Sequence, residues 1–97
     1  MLQNPQNQTV FEGQGTILEC EFSGDPKPKV VWEKNNEALL NGQDNYKING
    51  SQLIIENARL EFNGLYSCEA SIGNIRRRSK KGQLTVQGIN FGKLNCV

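Results

Sequence analysis

The chain of 97 residues contains no histidine and few other features of an enzyme site. Histidine is the commonest general acid or base near neutral pH, so its absence argues against proton-transfer catalysis. No paired carboxylates stand out, and the chain has neither a glycine-rich phosphate loop nor a Cys-x-x-Cys metal-ligand spacing. We therefore expect no catalytic residues, no metal site and no cofactor.

Long apolar runs are also missing. No stretch approaches the roughly 20 residues that a membrane-spanning helix needs, so we expect no membrane span in this chain. Residues 1–10 are rich in glutamine and asparagine and do not resemble a signal peptide. We expect Met1 to be an initiator added for expression and the natural chain to continue in both directions.

The net charge is small, but the charged residues are unevenly distributed along the chain. The formal net charge is only +1. Residues 1–69 carry ten acids and five bases, whereas residues 70–97 carry six bases and no acid. Five of those bases fall in one run of six residues, Arg76-Arg77-Arg78-Ser79-Lys80-Lys81. The net charge therefore hides an acidic part and a basic part.

The pattern of apolar residues predicts short strands and no long helix. Thr16, Leu18, Cys20 and Phe22 alternate with outward residues, as they do in a half-buried strand. Asn49-Gly50 predicts a tight hairpin, because both residue types tolerate positive φ. We expect Ala58 and Leu60 to fill a corner of the core. An all-β sandwich is the favoured fold class.

Four residues of rare types lie at informative spacings: Cys20, Trp32, Tyr66 and Cys68. The cysteines are 48 positions apart, the tryptophan follows the first by 12, and the tyrosine precedes the second by two. With the surrounding segments, they make the chain resemble an intermediate-set (I-set) immunoglobulin domain. The matching segments, in chain order, are Thr9-Val10-Phe11-Glu12-Gly13, Leu18-Glu19-Cys20, Gly24-Asp25-Pro26-Lys27-Pro28, Val30-Val31-Trp32-Glu33-Lys34, Leu53-Ile54-Ile55-Glu56-Asn57-Ala58, Gly64-Leu65-Tyr66-Ser67-Cys68-Glu69-Ala70 and Leu84-Thr85-Val86.

The resemblance implies an immunoglobulin-like sandwich of two antiparallel sheets with Greek-key connections. It implies one disulfide between the sheets, Cys20 to Cys68, with Trp32 packed on it and the Tyr66 hydroxyl bonded to backbone near residues 58–61. The domain is expected to span residues 1–87, with 88–97 a linker or tail. The remaining expected core residues are Leu18, Leu53, Ile55 and Leu84.

One residue departs from the family pattern. The family usually has Asp-x-Gly-x-Tyr-x-Cys, but Phe62 occupies the aspartate position here. That acid commonly pairs with a base at the start of strand D. Phe62 is therefore expected either to cap the core or to lie exposed.

The basic run is the sharpest functional feature, and two interpretations stay open. Its five bases (Arg76, Arg77, Arg78, Lys80 and Lys81) repel one another, which favours a binding site for a polyanion such as heparan sulfate. The other interpretation is a solvated edge strand whose charges prevent edge-to-edge pairing. In a cytosolic protein the run would instead suggest a nuclear signal or a kinase site at Ser79. In one regular strand, Arg76 and Leu84 would lie on the same face, since they are an even number of positions apart. Leu84 is expected to be buried and Arg76 to face solvent, so a bulge or loop must separate them.

Three further positions are candidate sites of covalent chemistry. Asn7 and Asn49 begin N-glycosylation sequons, with Asn7 favoured because Asn49 also serves a turn. Cys96 is left without a partner, which suggests an intermolecular bond, a partner in a missing segment, or an arbitrary chain boundary.

A disulfide requires an oxidising compartment, so we expect an extracellular module, secreted or on the cell surface. Its predicted function is non-catalytic recognition within an adhesion molecule, receptor or matrix protein. We expect a protein partner, homophilic or heterophilic, with heparan sulfate as a second ligand and no nucleic acid. The alternatives are a secreted factor that sequesters a growth factor or hormone, and an intracellular structural module of the muscle type.

Overall fold

The computed structural model describes residues 4–22 and 27–88. They form nine strands and two short 3₁₀ helices, at Gln43–Asn45 and Leu60–Phe62. The strands are β1 (Gln8–Phe11), β2 (Thr16–Glu19), β3 (Lys29–Lys34), β4 (Glu37–Ala38), β5 (Tyr46–Asn49), β6 (Gln52–Ile55), β7 (Gly64–Ile72), β8 (Ile75–Arg78) and β9 (Gly82–Gln87). Cys96 and the expected linker or tail lie outside the described residues, apart from Gly88.

The strands form two sheets, which confirms the predicted sandwich. The larger sheet has the order β1-β9-β7-β3-β4, with β8 also paired to β7, and the smaller sheet has the order β2-β6-β5. The chain passes between the sheets after β1, β2, β4 and β6, as Greek-key connections do. One detail differs from an all-antiparallel arrangement, because β1 runs parallel to β9.

The core lies between the sheets. Trp32, Tyr66, Leu18, Leu53, Ile55 and Leu84 are all buried. The Cys20–Cys68 disulfide joins β7 to the residue that follows β2, with the two Cα atoms 6.6 Å apart. Trp32 belongs to the same buried cluster, and its Nε1 donates to the Gly50 carbonyl at 3.1 Å.

The expected hairpin is present between β5 and β6, where Asn49 pairs with Gln52. Only Gly50 of the Asn-Gly pair has a positive φ, 55°, so the glycine alone meets the backbone requirement of the turn. The corner prediction was half wrong. Ala58 is buried, but the Leu60 side chain is 50% exposed at the start of its 3₁₀ helix.

Phe62 fills the corner instead. It is 2% exposed, and its ring centroid lies 4.8 Å from that of Tyr46, the first residue of β5. The family pattern places an acid at this position and pairs it with a base at the start of strand D, which corresponds to β5 here. In this chain the same two places hold an aromatic pair. Burying two rings avoids the desolvation penalty that a buried ion pair incurs.

The Tyr66 hydroxyl completes this corner. It donates to the Phe62 carbonyl at 2.7 Å, one residue beyond the range predicted from the sequence. The Tyr46 hydroxyl lies 2.7 Å away and, since the Tyr66 proton is already used, Tyr46 must be the donor. This bond links β5 of the smaller sheet to β7 of the larger one.

Candidate functional site

The basic run lies on the hairpin formed by β7 and β8. Ile72 pairs with Ile75 across a turn in which Gly73 has a φ of 57°. All four residues of β8 are exposed, and the strand pairs with β7. The hairpin is therefore a ribbon that projects its side chains into water.

Arg78 is engaged within the molecule, so one of the five bases has internal counterions. Its Nε lies 3.2 Å from Glu33 Oε1, and its Nη2 lies 3.2 Å from Glu33 Oε2 and 3.3 Å from Glu69 Oε2. The Glu33 side chain is only 12% exposed. A two-point contact of this kind matches the planar guanidinium to the carboxylate and fixes Arg78 across β7.

Arg76 and Arg77 are held much less firmly. Arg76 Nη1 lies 3.9 Å from Glu69 Oε1, and the Arg76 side chain is 74% exposed. Arg77 Nη1 donates to the Arg76 carbonyl at 2.9 Å. That bond folds the Arg77 guanidinium back along its own strand and leaves its charge without a carboxylate partner among the described residues.

The strand is interrupted at residues 79–81, where a bulge or loop was expected. Ser79 is buried, and its hydroxyl accepts from the Cys68 N–H and donates to the Lys80 carbonyl, both at 2.9 Å. The break shifts the alternation so that Leu84 points inward although Arg76 points outward. Because its hydroxyl is buried and bonded, Ser79 is not placed to accept a phosphate in the folded domain.

Lys80 and Lys81 lie within the break, next to the start of the described chain. The Lys80 N–H donates to Asn4 Oδ1 at 2.9 Å, and both lysines are exposed. The five bases of the run therefore fall into three groups: two loosely held arginines at the hairpin, one arginine bound to carboxylates, and two exposed lysines in the break.

The structure adds a base that the run does not contain. Lys29, the first residue of β3, pairs with Ser71, and Ser71 pairs with Arg76. Sequence reasoning missed it because Lys29 is 47 positions from Arg76 and only the register joins them. The same reasoning missed Glu33 and Glu69, although the inward position of Trp32 already implied an outward Glu33.

Both sequon asparagines are exposed. Asn7 precedes β1, and its Oδ1 accepts from the Gln83 N–H at 2.8 Å. A glycan attaches to Nδ2, so this bond leaves the attachment atom available. Asn49 ends β5 beside the Gly50 turn. Glycosylation at either position stays a prediction.

Three clefts among the described residues, of about 320, 360 and 530 Å³, are open to solvent. No group of three or more His, Cys, Asp or Glu residues within 4–22 and 27–88 could hold a metal ion. No helix in the described part of the chain is long and apolar enough to cross a membrane.

Comparisons with known proteins agree with this architecture. The family profile described as "Immunoglobulin domain" matches residues 1–71. The human netrin receptor DCC is 34% identical over 86 residues, and the neural cell adhesion molecule L1 of Takifugu rubripes is 39% identical over 77. These alignments cover 88% and 77% of the chain, but the chain spans only 6% of the length of either relative.

Solved structures give the same result. The tandem Ig repeats of Dlar superpose with a TM-score of 0.84 at 28% identity, over 91% of this chain and 47% of that one. A chimeric titin Z1Z2 protein superposes with a TM-score of 0.77 at 28% identity, over 91% and 93% of the two chains. The solved structures that this chain resembles thus include Dlar and titin domains.

Proposed function

This chain belongs to the immunoglobulin domain family, and from that premise we propose that it is an extracellular, non-catalytic recognition module of an adhesion molecule, receptor or matrix protein. We propose that it binds a protein partner and, through the basic edge of the β7–β8 hairpin, a sulfated glycosaminoglycan. The similarity to a netrin receptor and a neural cell adhesion molecule supports the first part of the proposal.

One observation carries the second part. Arg77, Lys80 and Lys81 have no carboxylate within 4.0 Å among the described residues, and Arg76 has one only at 3.9 Å. Their charges are therefore directed at solvent. Exposed ion pairs are worth roughly 0–1 kcal/mol, so an external polyanion that meets several bases at once competes easily with Glu69 for Arg76.

Heparin affinity chromatography tests this proposal. We expect the native domain to be retained at physiological salt and to elute as the salt screens the contacts. The variant Arg76→Ser/Arg77→Ser should elute at clearly lower salt. A matched control, Lys47→Ser/Arg59→Ser, removes two exposed bases elsewhere and should elute with the native domain.

Two outcomes contradict the polysaccharide part. The first is that the native domain passes through the column at physiological salt. The second is that both double variants lose retention equally, which would mean that only net charge matters. Either result would leave the basic run as a solvated edge, the other interpretation of the sequence.

The muscle-type alternative has the titin similarity in its favour, and the disulfide separates it from the extracellular proposal. An intracellular module would hold Cys20 and Cys68 as thiols. Mass spectrometry of the protein isolated from its native source without reduction distinguishes the two, because two alkylated cysteines would contradict the extracellular assignment. A growth-factor-sequestering protein would have the same disulfide, and flanking domains would identify it.

A further inference from the structure

We propose that a cross-strand row on the outer face of the larger sheet, Lys29–Ser71–Arg76, is the site that holds a sulfate group of the polysaccharide. This inference rests on the proposed function and changes which residues form the polysaccharide-binding surface. The binding surface runs across β3, β7 and β8, at right angles to the strands, instead of along the basic run.

The register places the three side chains on one face. Lys29 pairs with Ser71, and Ser71 pairs with Arg76. Val30 and Trp32 point inward on β3, so Lys29 points outward, and on β7 the buried Ala70 likewise leaves Ser71 outward. Directly opposed residues on one face of a sheet are neighbours.

The spacing suits a single anionic group. Adjacent strands lie about 4.8 Å apart, so the Cα atoms of Lys29 and Arg76 are separated by roughly 10 Å. Both side chains are long enough to converge above Ser71, which adds a neutral hydroxyl donor. An ammonium, a guanidinium and a hydroxyl together supply the hydrogen-bond donors that a sulfate oxygen accepts.

The neighbouring row explains why the site lies here. That row contains Val31, Glu69 and Arg78, and Arg78 is already bound to Glu69 and Glu33. An anion placed there would meet two carboxylates. The proposed row lies one step closer to the hairpin. It contains two bases, Lys29 and Arg76, and the one carboxylate near them is Glu69, 3.9 Å from Arg76.

Lys80 and Lys81 are too far away to share this site. They follow Arg76 by four and five residues along the chain, which corresponds to roughly 13–17 Å at 3.3 Å per residue of extended chain. That distance exceeds the Debye length of about 8 Å at physiological ionic strength. They can contact a long polymer but not the sulfate held by the row.

The decisive variant is Ser71→Asp, which changes no basic residue. A carboxylate between Lys29 and Arg76 would pair with both bases and repel a bound sulfate. We expect the affinity for a heparin tetrasaccharide, measured by titration calorimetry, to fall at least about tenfold, which corresponds to the loss of one charge-assisted hydrogen bond. Ser71→Asn, similar in size but neutral, should bind within about twofold of the native domain.

Lys29→Gln tests the base that lies outside the run. It should reduce affinity about as much as Arg76→Gln, whereas Lys80→Gln and Lys47→Gln, each removing one positive charge, should leave the affinity within about twofold. Thermal unfolding of every variant shows whether the fold is retained.

The inference is overturned if Ser71→Asp binds like the native domain, or if Lys29→Gln is silent while Lys80→Gln weakens binding. In both cases the native domain still binds, so the proposed function survives and only the footprint is wrong. If the native domain binds no tetrasaccharide at all, the polysaccharide part of the proposed function fails with it.

Discussion

The corner formed by Tyr46, Phe62 and Tyr66 and the β7–β8 ribbon differ in how their polar groups are satisfied. At the corner, the hydroxyls of Tyr46 and Tyr66 and the carbonyl of Phe62 form a chain of bonds at 2.7 Å, sealed by buried rings. On the ribbon, β8 is exposed throughout and carries three consecutive arginines. The corner satisfies its polar groups internally, whereas the ribbon leaves most of its charge to solvent.

This difference separates stability from recognition. A buried hydroxyl that loses its partner costs free energy because water cannot replace the bond. An exposed guanidinium that loses its partner is simply hydrated. We therefore expect substitutions in the buried region to change the free energy of unfolding, and those on the ribbon to change binding.

The largest effect on stability should come from the disulfide in the buried region. Replacing Cys20 and Cys68 with alanine should lower the free energy of unfolding by about 2–5 kcal/mol, because the unfolded chain regains the freedom of a 48-residue loop. Urea denaturation of the double variant measures this. A loss below about 1 kcal/mol would mean that the packing around Trp32 carries the fold without the bond.

Tyr66→Phe should have the next largest effect. It removes the donor to the Phe62 carbonyl and the acceptor for the Tyr46 hydroxyl while it keeps the ring. We expect a loss of about 1–3 kcal/mol in the free energy of unfolding. In a double-mutant cycle with Tyr46→Phe, the two losses should not add, since both variants break the same bond. Additive losses would contradict the shared network.

The same pair predicts how stability depends on alkaline pH. Burial raises the pKa of both Tyr66 and Tyr46 above the ordinary tyrosine value of about 10. A folded pKa above the unfolded one stabilises the fold fully below pH 10 and progressively less as the pH rises further. These are the only tyrosines, so tyrosinate absorbance should appear together with unfolding. Tyrosinate forming in a still-folded domain would contradict the buried assignment.

Arg78→Gln should have the smallest effect on stability. Half of the Arg78 side chain is exposed, but the Glu33 carboxylate that it leaves is only 12% exposed, so we expect a loss of about 1 kcal/mol, the upper end for surface ion pairs. The free energy of unfolding of Glu33→Gln should be measured beside it, because that change removes the carboxylate and leaves Arg78 free to face solvent. If Arg78→Gln cost as much as Tyr66→Phe, the ribbon would belong to the stabilising part of the molecule and the contrast would fail.

The interior of this domain was predictable from local patterns. Alternating apolar residues identified Leu18, Leu53 and Ile55 as core, because side chains alternate strictly between the faces of a strand. The parity conflict between Arg76 and Leu84 indicated the interruption at residues 79–81. The position of Leu60 was not predictable, since a 3₁₀ turn does not follow the alternation of a strand.

The sequence by itself determined the sandwich and its inward-facing residues, because side chains alternate along each strand. The resemblance to an immunoglobulin domain supplied the disulfide and the buried tryptophan and tyrosine. Only the tertiary structure decided what the basic run is. It bound Arg78 to Glu33, buried Ser79, bonded the Lys80 backbone to the N-terminal segment and set Lys29 and Arg76 on either side of Ser71. The physical reason is that electrostatic neighbours are set by strand register, which joins residues dozens of positions apart and leaves no mark in local sequence.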